Sequence, residues 1–242
     1  MDFKLIADYH THTKYSDGKG SIEDSVKRAV ELGLKMIGIS DHGFNHVKSG
    51  IKRSQVQEMR EEVERLKKVY PQIEIKLGIE ANLVNLDGEI DLTEEDIKNF
   101  DYIIFGIHYF TFGKGVKGSR RFNLKNAISK SKKYIEKVTD SYIKAIEKYP
   151  VSVVVHPNYV VPVNVKRLAE AAAKKDVYIE LNGKRTDFSE QQVKELLDSN
   201  VKLIIGSDAH SPERIAECEN PKQFIFKNNI PLSRIVNIKV EN

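Results

Sequence analysis

Seven short apolar runs alternate with longer amphipathic stretches along this chain. A short run that is apolar throughout predicts a strand covered on both faces, and the amphipathic stretches predict helices. This alternation is typical of parallel βα units. The predicted strands lie near 3–9, 35–39, 73–79, 101–107, 151–155, 177–181 and 202–206. We therefore predict an α/β fold with helices wrapped around a parallel sheet.

Local signals mark where the helices begin and end. Ser21, Thr93 and Ser189 are each followed three residues later by Asp or Gln, which is close to the capping-box pattern. Pro71 ends the apolar helical period that precedes it, because a residue before proline avoids the helical conformation. The pattern predicts helices over 54–70, 124–149 and 164–175, and a short terminal strand within 235–240.

The bulk composition fits one ordinary domain. The 242 residues contain 31% charged and 40% apolar residues, and no linker-like segment interrupts them. We predict a single domain over 1–242. No apolar run approaches the roughly 20 residues of a membrane-spanning helix. The first predicted strand begins at residue 3, so we expect neither a secretory signal nor a membrane partner.

Charge and cysteine content indicate which binding partners, cellular compartment and metal ligands to expect. The formal net charge is +4, and Lys and Arg alternate with Glu along helical faces, which favours a solvated surface over a nucleic-acid tract. Cys218 is the single cysteine, so it can form no internal disulfide and no thiolate zinc site. We expect a cytoplasmic protein whose metal ligands, where present, are imidazole and carboxylate.

Histidine and acidic side chains follow the ends of the predicted strands. In a parallel barrel all these ends meet on one rim, so distant residues would share one pocket. We predict the following metal ligands: His10, His12, Asp17, His42, Glu80, His108, His156, Asp208 and His210. A lone histidine after a strand is more often structural, but this placement after six separate strands indicates a multi-metal site. His46 is left as a surface histidine, and Asp41 is expected to orient a histidine rather than bind metal.

The spacing within these motifs supports shared cations. His10 and His12 lie on the same side of an extended chain, because side chains alternate with period 2. Asp17 follows in a turn-like loop that can fold back over the rim, and Glu80 can bridge two ions. Such ligands suit zinc, manganese or iron(II), and affinity does not choose among these metals.

The ordered motifs resemble the PHP family, named for polymerase and histidinol phosphatase. They are His10-Thr11-His12, Tyr15-Ser16-Asp17-Gly18, Ser40-Asp41-His42, Gly78-Ile79-Glu80, His108, His156 and Ser207-Asp208-Ala209-His210. The resemblance covers essentially the whole chain. It implies a distorted seven-stranded (β/α)7 TIM-like barrel with two or three divalent metal ions at the carboxyl ends of the strands.

The same resemblance implies three ligand sets. One ion would be held by His10, His12, Glu80 and Asp208, a second by Glu80, His108 and His156, and a third by Asp17, His42 and His210. Some family members carry His at the position of Asp17, so the occupancy and the identity of the third ion stay open. Glu80, Asp208 and His210 would also take part in catalysis.

The implied activity is hydrolysis of a small phosphate monoester by metal-activated hydroxide, with histidinol phosphate as the leading substrate. Arg185, after an ELN-like segment at 180–182, and Arg120 and Arg121, in the basic loop 113–121, are the candidates for substrate contact. Two alternatives stay open, a metal-dependent 3'-5' exonuclease or nucleotide phosphoesterase and a non-catalytic metal-binding regulatory module. The aromatic residues 109, 110 and 112 could stack bases in the exonuclease, but aromatic side chains at a strand end are more often core. The oligomeric state stays open.

Overall fold

The computed structural model describes residues 2–112 and 118–241. Seven parallel strands form one sheet in the order β2 to β8. They are β2 (Ala7–Asp8), β3 (Met36–Ile39), β4 (Glu74–Asn82), β5 (Tyr102–Gly106), β6 (Val153–Val154), β7 (Tyr178–Asn182) and β8 (Leu203–Gly206). Since consecutive strands are neighbours throughout, the predicted βα alternation and the barrel fold are confirmed.

The first and last strands of the sheet meet just beyond their ends. Thr11 and Ala209 form a parallel bridge, and the backbone N–H of His12 donates to the carbonyl of Ala209 at 2.8 Å. The carboxylate of Asp8 accepts from the backbone N–H of Ser207 at 3.2 Å. These contacts nearly close the sheet into a barrel at the rim where the candidate ligands lie.

Helices connect the strands. They are α1 (Ile22–Glu31), α2 (Val56–Val69), α3 (Glu94–Ile97), α4 (Ser119–Ile128), α5 (Lys132–Lys148), α6 (Val165–Lys174), α7 (Glu190–Asp198) and α8 (Glu219–Lys227). Ser21, Thr93 and Ser189 form capping boxes at the starts of α1, α3 and α7, as predicted. None of the described helices has the length and apolar character to span a membrane.

Two predicted elements are divided in the structure. The strand predicted at 3–9 breaks at Ile6: β1 (Asp2–Leu5) pairs antiparallel with the terminal strand β9 (Ile238–Glu241), and only β2 enters the barrel. The single helix predicted over 124–149 is wrong, because extended residues separate α4 from α5. Ser129 and Ser131 lie in this break, and serine favours non-helical backbone next to helix ends.

Close packing fills the barrel interior below the rim. Tyr102 and Ile104 of β5 pack there in a buried cluster with Val153 of β6 and with Val155, which follows β6. The Tyr102 hydroxyl donates to the Tyr9 carbonyl at 2.7 Å. A Cβ at Gly38 or Gly78 would overlap the Tyr102 side chain, so both glycines make room for it. The filled interior leaves the rim as the place for a site.

Candidate metal centre

The structure brings all nine predicted metal ligands together at the carboxyl end of the barrel. Their ligand atoms fall into four overlapping groups, each within 4.8 Å: His12, Asp17, His42 and His210; His10, Glu80 and His156; His10, His12 and Asp208; and His42, Glu80 and His108. Most of these side chains are buried, with Asp17 and His210 at the open edge. The grouping therefore gathers residues from six strand ends, as the sequence predicts.

Glu80 lies at the centre of this cluster. Its Oε1 is within 3.2 Å of the Nε2 atoms of His10, His108 and His156, and its Oε2 is 2.7 Å from Nδ1 of His42. Burial opposes ionisation of this carboxyl, but the surrounding histidines hold its pKa well below the usual range. Glu80 is therefore an ionised carboxylate with ligand nitrogens on both of its oxygens, which is the arrangement of a bridging ligand.

A second carboxylate fixes the orientation of His10. Nδ1 of His10 lies 2.6 Å from Oε1 of buried Glu180, so Nε2 is the atom that faces the cluster. Burial lowers the pKa of His10, but the carboxylates of Glu180, Glu80 and Asp208 raise it well above its ordinary value. In the metal-free protein the ring therefore carries a proton at the position where a cation would bind.

An amide orients His108 in the same way. Asn82 donates from Nδ2 to Asp91 at 2.7 Å, which turns its Oδ1 toward Nδ1 of His108, also at 2.7 Å. Burial lowers the pKa of His108 to about 4, so the ring is neutral and its Nδ1–H donates to Asn82. Its Nε2 lone pair then faces Oε1 of Glu80 at 2.9 Å. Two electron-rich atoms at this distance repel each other unless a cation lies between them.

Asp17 completes the open side of the cluster. Its Oδ1 lies 3.3 Å from Nε2 of His210 and 3.6 Å from Nε2 of His42. Burial raises the pKa of the Asp17 carboxyl, but hydrogen bonds to the two histidines more than offset this and hold it far below its usual range. The fold of the 13–18 turn thus places Asp17 over the rim, as its sequence position suggested.

The unpaired polar atoms test whether metal ions fit. Among the described residues, buried atoms without a hydrogen bond of good geometry include Nε2 of His10, both ring nitrogens of His12, Nδ1 of His42 and Oε2 of Glu80, although the last two atoms lie 2.7 Å apart. Leaving such atoms unsatisfied costs about 1–3 kcal/mol each. Burial also lowers the pKa of His12 to about 3, so this ring is neutral with a free lone pair. A set of imidazole and carboxylate atoms in this state fits divalent cations.

Two candidate ligands on the rim have an unusual backbone conformation. His156 and Asp208 have positive φ angles of 32° and 51°, which non-glycine residues rarely adopt. Glu180 holds the first by accepting from the His156 N–H at 2.9 Å, and Asn182 holds the second by donating to Asp208 Oδ2 at 3.2 Å. Strained residues of this kind cluster at functional sites.

Several individual predictions need correction. His46 is not a free surface residue, since its ring stacks on His42 with centroids 4.8 Å apart. Asp41 contacts no histidine by a hydrogen bond that the structure records; it accepts from N and Oγ1 of Thr13, both at 2.7 Å, and from Oγ of Ser16 at 2.5 Å. Asp41 therefore holds the turn that carries Asp17, because this turn leaves buried donors that need an acceptor.

The cavity beside the cluster has a volume of about 430 Å³. Tyr109, Phe110 and Tyr159 form an aromatic wall, and Lys184 and Arg185 supply positive charge. The expectation that the aromatic residues after β5 are core is wrong, since Tyr109 is 40% and Phe110 58% exposed. They follow the strand end on the rim, where the chain leaves the barrel.

The three predicted substrate-contacting arginines lie in different places. Arg185 lines the cavity, with its Cζ 4.9 Å from the Tyr159 ring centroid. Arg120 instead lines a separate surface groove with Phe44 and Leu124, and Arg121 is exposed on α4 and does not line the cavity. Residues 113–117 of their basic loop lie outside the described residues. The sequence reasoning gave no role to two further site residues, Glu180, which begins the ELN-like segment, and Lys184, which follows it.

Comparisons with known proteins identify the family of the chain. The PHP domain family model matches residues 8–184. "Probable phosphatase TTE1963" of Caldanaerobacter subterraneus is 26% identical and covers 100% of this chain and 90% of its own length. "Probable phosphatase YcdX" of Shigella flexneri is 27% identical and covers 96% and 89%.

A solved structure shares the fold. The histidinol phosphate phosphatase of Lactococcus lactis, crystallised with zinc, L-histidinol and phosphate, aligns with a TM-score of 0.60 at 16% identity over 94% of this chain and 95% of that one. At this identity the likeness concerns the fold alone. The family match extends over more than half of the chain, from Asp8 at β2 to Lys184 after β7. The chain therefore belongs to the PHP domain family, and it is a metal-dependent hydrolase of the phosphatase and phosphoesterase class.

Proposed function

We propose that the protein hydrolyses a phosphate monoester of a small metabolite, with histidinol phosphate as the leading candidate. The observation that carries this proposal is the cavity of about 430 Å³ with the histidine and carboxylate cluster on its floor. A volume of this size is that of a small-molecule site. Lys184 and Arg185 place positive charge on its wall, which suits an anionic substrate.

The cluster has enough ligand atoms for two or three divalent ions. We assign His10, His12 and Asp208 to one ion, Glu80 with His108 and His156 to a second, and Asp17 with His42 and His210 to a third. Glu80 would be shared between the first two. When bound, such ions supply positive charge for the phosphate and lower the pKa of a water molecule toward neutrality.

The protein's own residues then define the geometry of the reaction. Glu180 and Asn82 fix which nitrogen of His10 and His108 faces the cluster, so these ligands are oriented before any ion binds. Glu80, Asp208 and His210 line the cavity, and we propose that they hold the groups that act on the phosphate. Arg185 is the arginine of the three that lines the cavity, and we retain it as a substrate contact.

The activity of a structural neighbour gives further support for the substrate. The Lactococcus lactis protein is a histidinol phosphate phosphatase, and it aligns over nearly the full length of both chains. The aromatic wall formed by Tyr109, Phe110 and Tyr159 offers a surface on which a planar leaving group can pack. An imidazole ring is such a group, which keeps histidinol phosphate as the first compound to test.

A substrate screen tests the proposal. Protein loaded with manganese, zinc or iron(II) is assayed for phosphate release from histidinol phosphate, sugar phosphates, nucleotides and short single-stranded DNA. We expect turnover of small monoesters that stops when a chelator removes the metal. Degradation of DNA with no monoester hydrolysis would instead support an exonuclease. Metal-loaded protein that hydrolyses none of these compounds would contradict the proposal.

A further inference from the structure

The turn after β7 brings a lysine onto the candidate metal centre. Nζ of Lys184 lies 3.0 Å from Oδ1 of Asp208 and 3.0 Å from Nδ1 of His210. The side chain is 33% exposed and lines the cavity. Its ammonium group therefore stands at the boundary between the cluster and the space that a substrate would fill.

Hydrogen bonds fix the backbone that carries this lysine. Lys184 N–H donates to Oδ1 of Asn182 at 3.0 Å, and Nδ2 of Asn220 donates to the carbonyls of Gly183 and Lys184 at 3.1 and 3.0 Å. Gly183 N–H donates to the Gly206 carbonyl at 2.7 Å. The turn is thus attached to β7, to β8 and to α8. Lys184 is held in position at its backbone, unlike a lysine on a mobile surface loop.

One of the two contacts of the ammonium group is incompatible with His210 as a metal ligand. Nδ1 of His210 also lies 3.0 Å from the carbonyl oxygen of Asp208. When His210 offers Nε2 to a cation next to Asp17, its Nδ1 carries the hydrogen and donates to that carbonyl. Nδ1 then has no lone pair for Lys184. Since an ammonium group has three N–H donors, the group keeps free donors, and its side chain lines the cavity.

The neighbouring arginine is already paired. Nε of Arg185 lies 2.7 Å from Oδ2 of Asp187, and the guanidinium group lies over the Tyr159 ring. Its side chain is 51% exposed, and it touches none of the nine cluster residues by a recorded contact in the described part of the chain. Of Lys184 and Arg185, the two cations that supply positive charge to the cavity, Lys184 is therefore the one that contacts the cluster.

We propose that Lys184 is a substrate-binding residue whose ammonium group donates to a phosphate oxygen of the monoester, beside Asp208. This inference rests on the proposed phosphomonoesterase function. Arg185 then contacts the substrate farther from the cluster, along the aromatic wall. A different role, in which Lys184 only balances the carboxylate charge of the metal-free site, predicts no dependence of phosphate binding on this side chain.

The experiment measures binding of inorganic phosphate to the metal-loaded protein by calorimetry. The variants are Lys184→Met, Lys184→Arg and, as a matched control on the exposed face of α7, Lys194→Met. We expect Lys184→Met to weaken phosphate binding and to raise KM for an aryl phosphate, each by about 10-fold or more, because a charge-assisted hydrogen bond is lost. Metal content, measured by mass spectrometry, should not change. Lys184→Arg should recover most of the binding, and Lys194→Met should behave as the wild type.

Three outcomes would overturn this inference. Equal phosphate affinity in wild type and Lys184→Met would exclude the contact. Loss of bound metal in Lys184→Met, in proportion to its loss of phosphate binding, would show that the lysine acts through the metal site and does not contact phosphate directly. Wild-type protein that neither binds phosphate nor hydrolyses any monoester would contradict the proposed function itself, and this result is visible before any variant is made.

Discussion

Nδ1 of His10 lies 2.6 Å from Oε1 of Glu180, and the two residues are separated by 170 positions in the sequence. Glu180 also accepts from the backbone N–H of His156 through its other oxygen, at 2.9 Å. One buried carboxylate therefore sets the ring orientation of one candidate ligand and the strained backbone of another. Neither role is visible in the local sequence, although both decide whether the rim can hold a cation.

Replacing Glu180 by Gln tests this positioning role. The amide has only one acceptor oxygen, so it must present its NH₂ either to His10 or to the N–H donors of His156 and Asn182. We expect metal affinity to fall by about 10–100-fold, as is usual when the partner of a metal-ligating histidine is lost. Titration against a competing chelator measures this change. Glu147→Gln, at an exposed position on α5, is the control, and an unchanged affinity in Glu180→Gln would exclude the role.

Glu80 gives a second prediction, because it is the shared carboxylate of the cluster. In Glu80→Gln the charge that faces His10, His42, His108 and His156 is removed without a large change in volume. We expect less bound metal per chain and loss of at least about 100-fold in kcat for a generic aryl phosphate, as for removal of a group acting directly on the reaction. Metal analysis and turnover are measured on the same preparations. Full turnover with fewer ions bound would show that Glu80 is not a ligand of the catalytic ions.

The sequence predicted where the nine candidate ligands gather better than it predicted their surroundings. Strands covered on both faces are apolar throughout, so their ends, and the nine polar residues at or after these ends, could be located from local composition. The contacts of Asp41 and His46 depend instead on how loops fold over the rim, which no local pattern specifies. The break of the first strand at Ile6 was missed for a related reason. The pairing of β1 with β9 joins the two ends of the chain, and such nonlocal pairing leaves no periodic signal at either end.

Stability of the metal-free protein should depend on pH in two opposite ways. Burial lowers the pKa of His12 to about 3 and that of His108 to about 4. These groups bind protons more tightly when unfolded, so the free energy of unfolding should decrease as the pH falls below about 6.5. Burial also opposes protonation of His42, but Glu80 and Asp17 raise its pKa to about 10. The protonated His42 ring therefore stabilises the folded state fully below about pH 6.5, and this stabilisation is lost as the pH rises toward 10.

Urea unfolding between pH 5 and 9.5, with and without a chelator, measures this dependence. We expect the metal-free protein to be most stable near pH 6.5, within the range set by these histidines. The metal-loaded protein should instead gain stability as the pH rises, because metal ions bind the deprotonated rings. Identical profiles with and without chelator would mean that these histidines do not hold metal under the conditions used.

The last prediction concerns the barrel interior that supports the rim. A Cβ added at Gly78 would overlap the aromatic ring of Tyr102, which is buried and hydrogen-bonded to the Tyr9 carbonyl. We expect Gly78→Ala to lower the free energy of unfolding by about 1–3 kcal/mol, the usual cost of overpacking a core. Tyr102→Leu removes the ring, so the double variant should lose less stability than the sum of the two single variants. Urea denaturation of all four proteins gives this coupling directly. Strict additivity would show that the two side chains do not compete for the same space. The Tyr102 ring would then not explain why glycine occupies position 78.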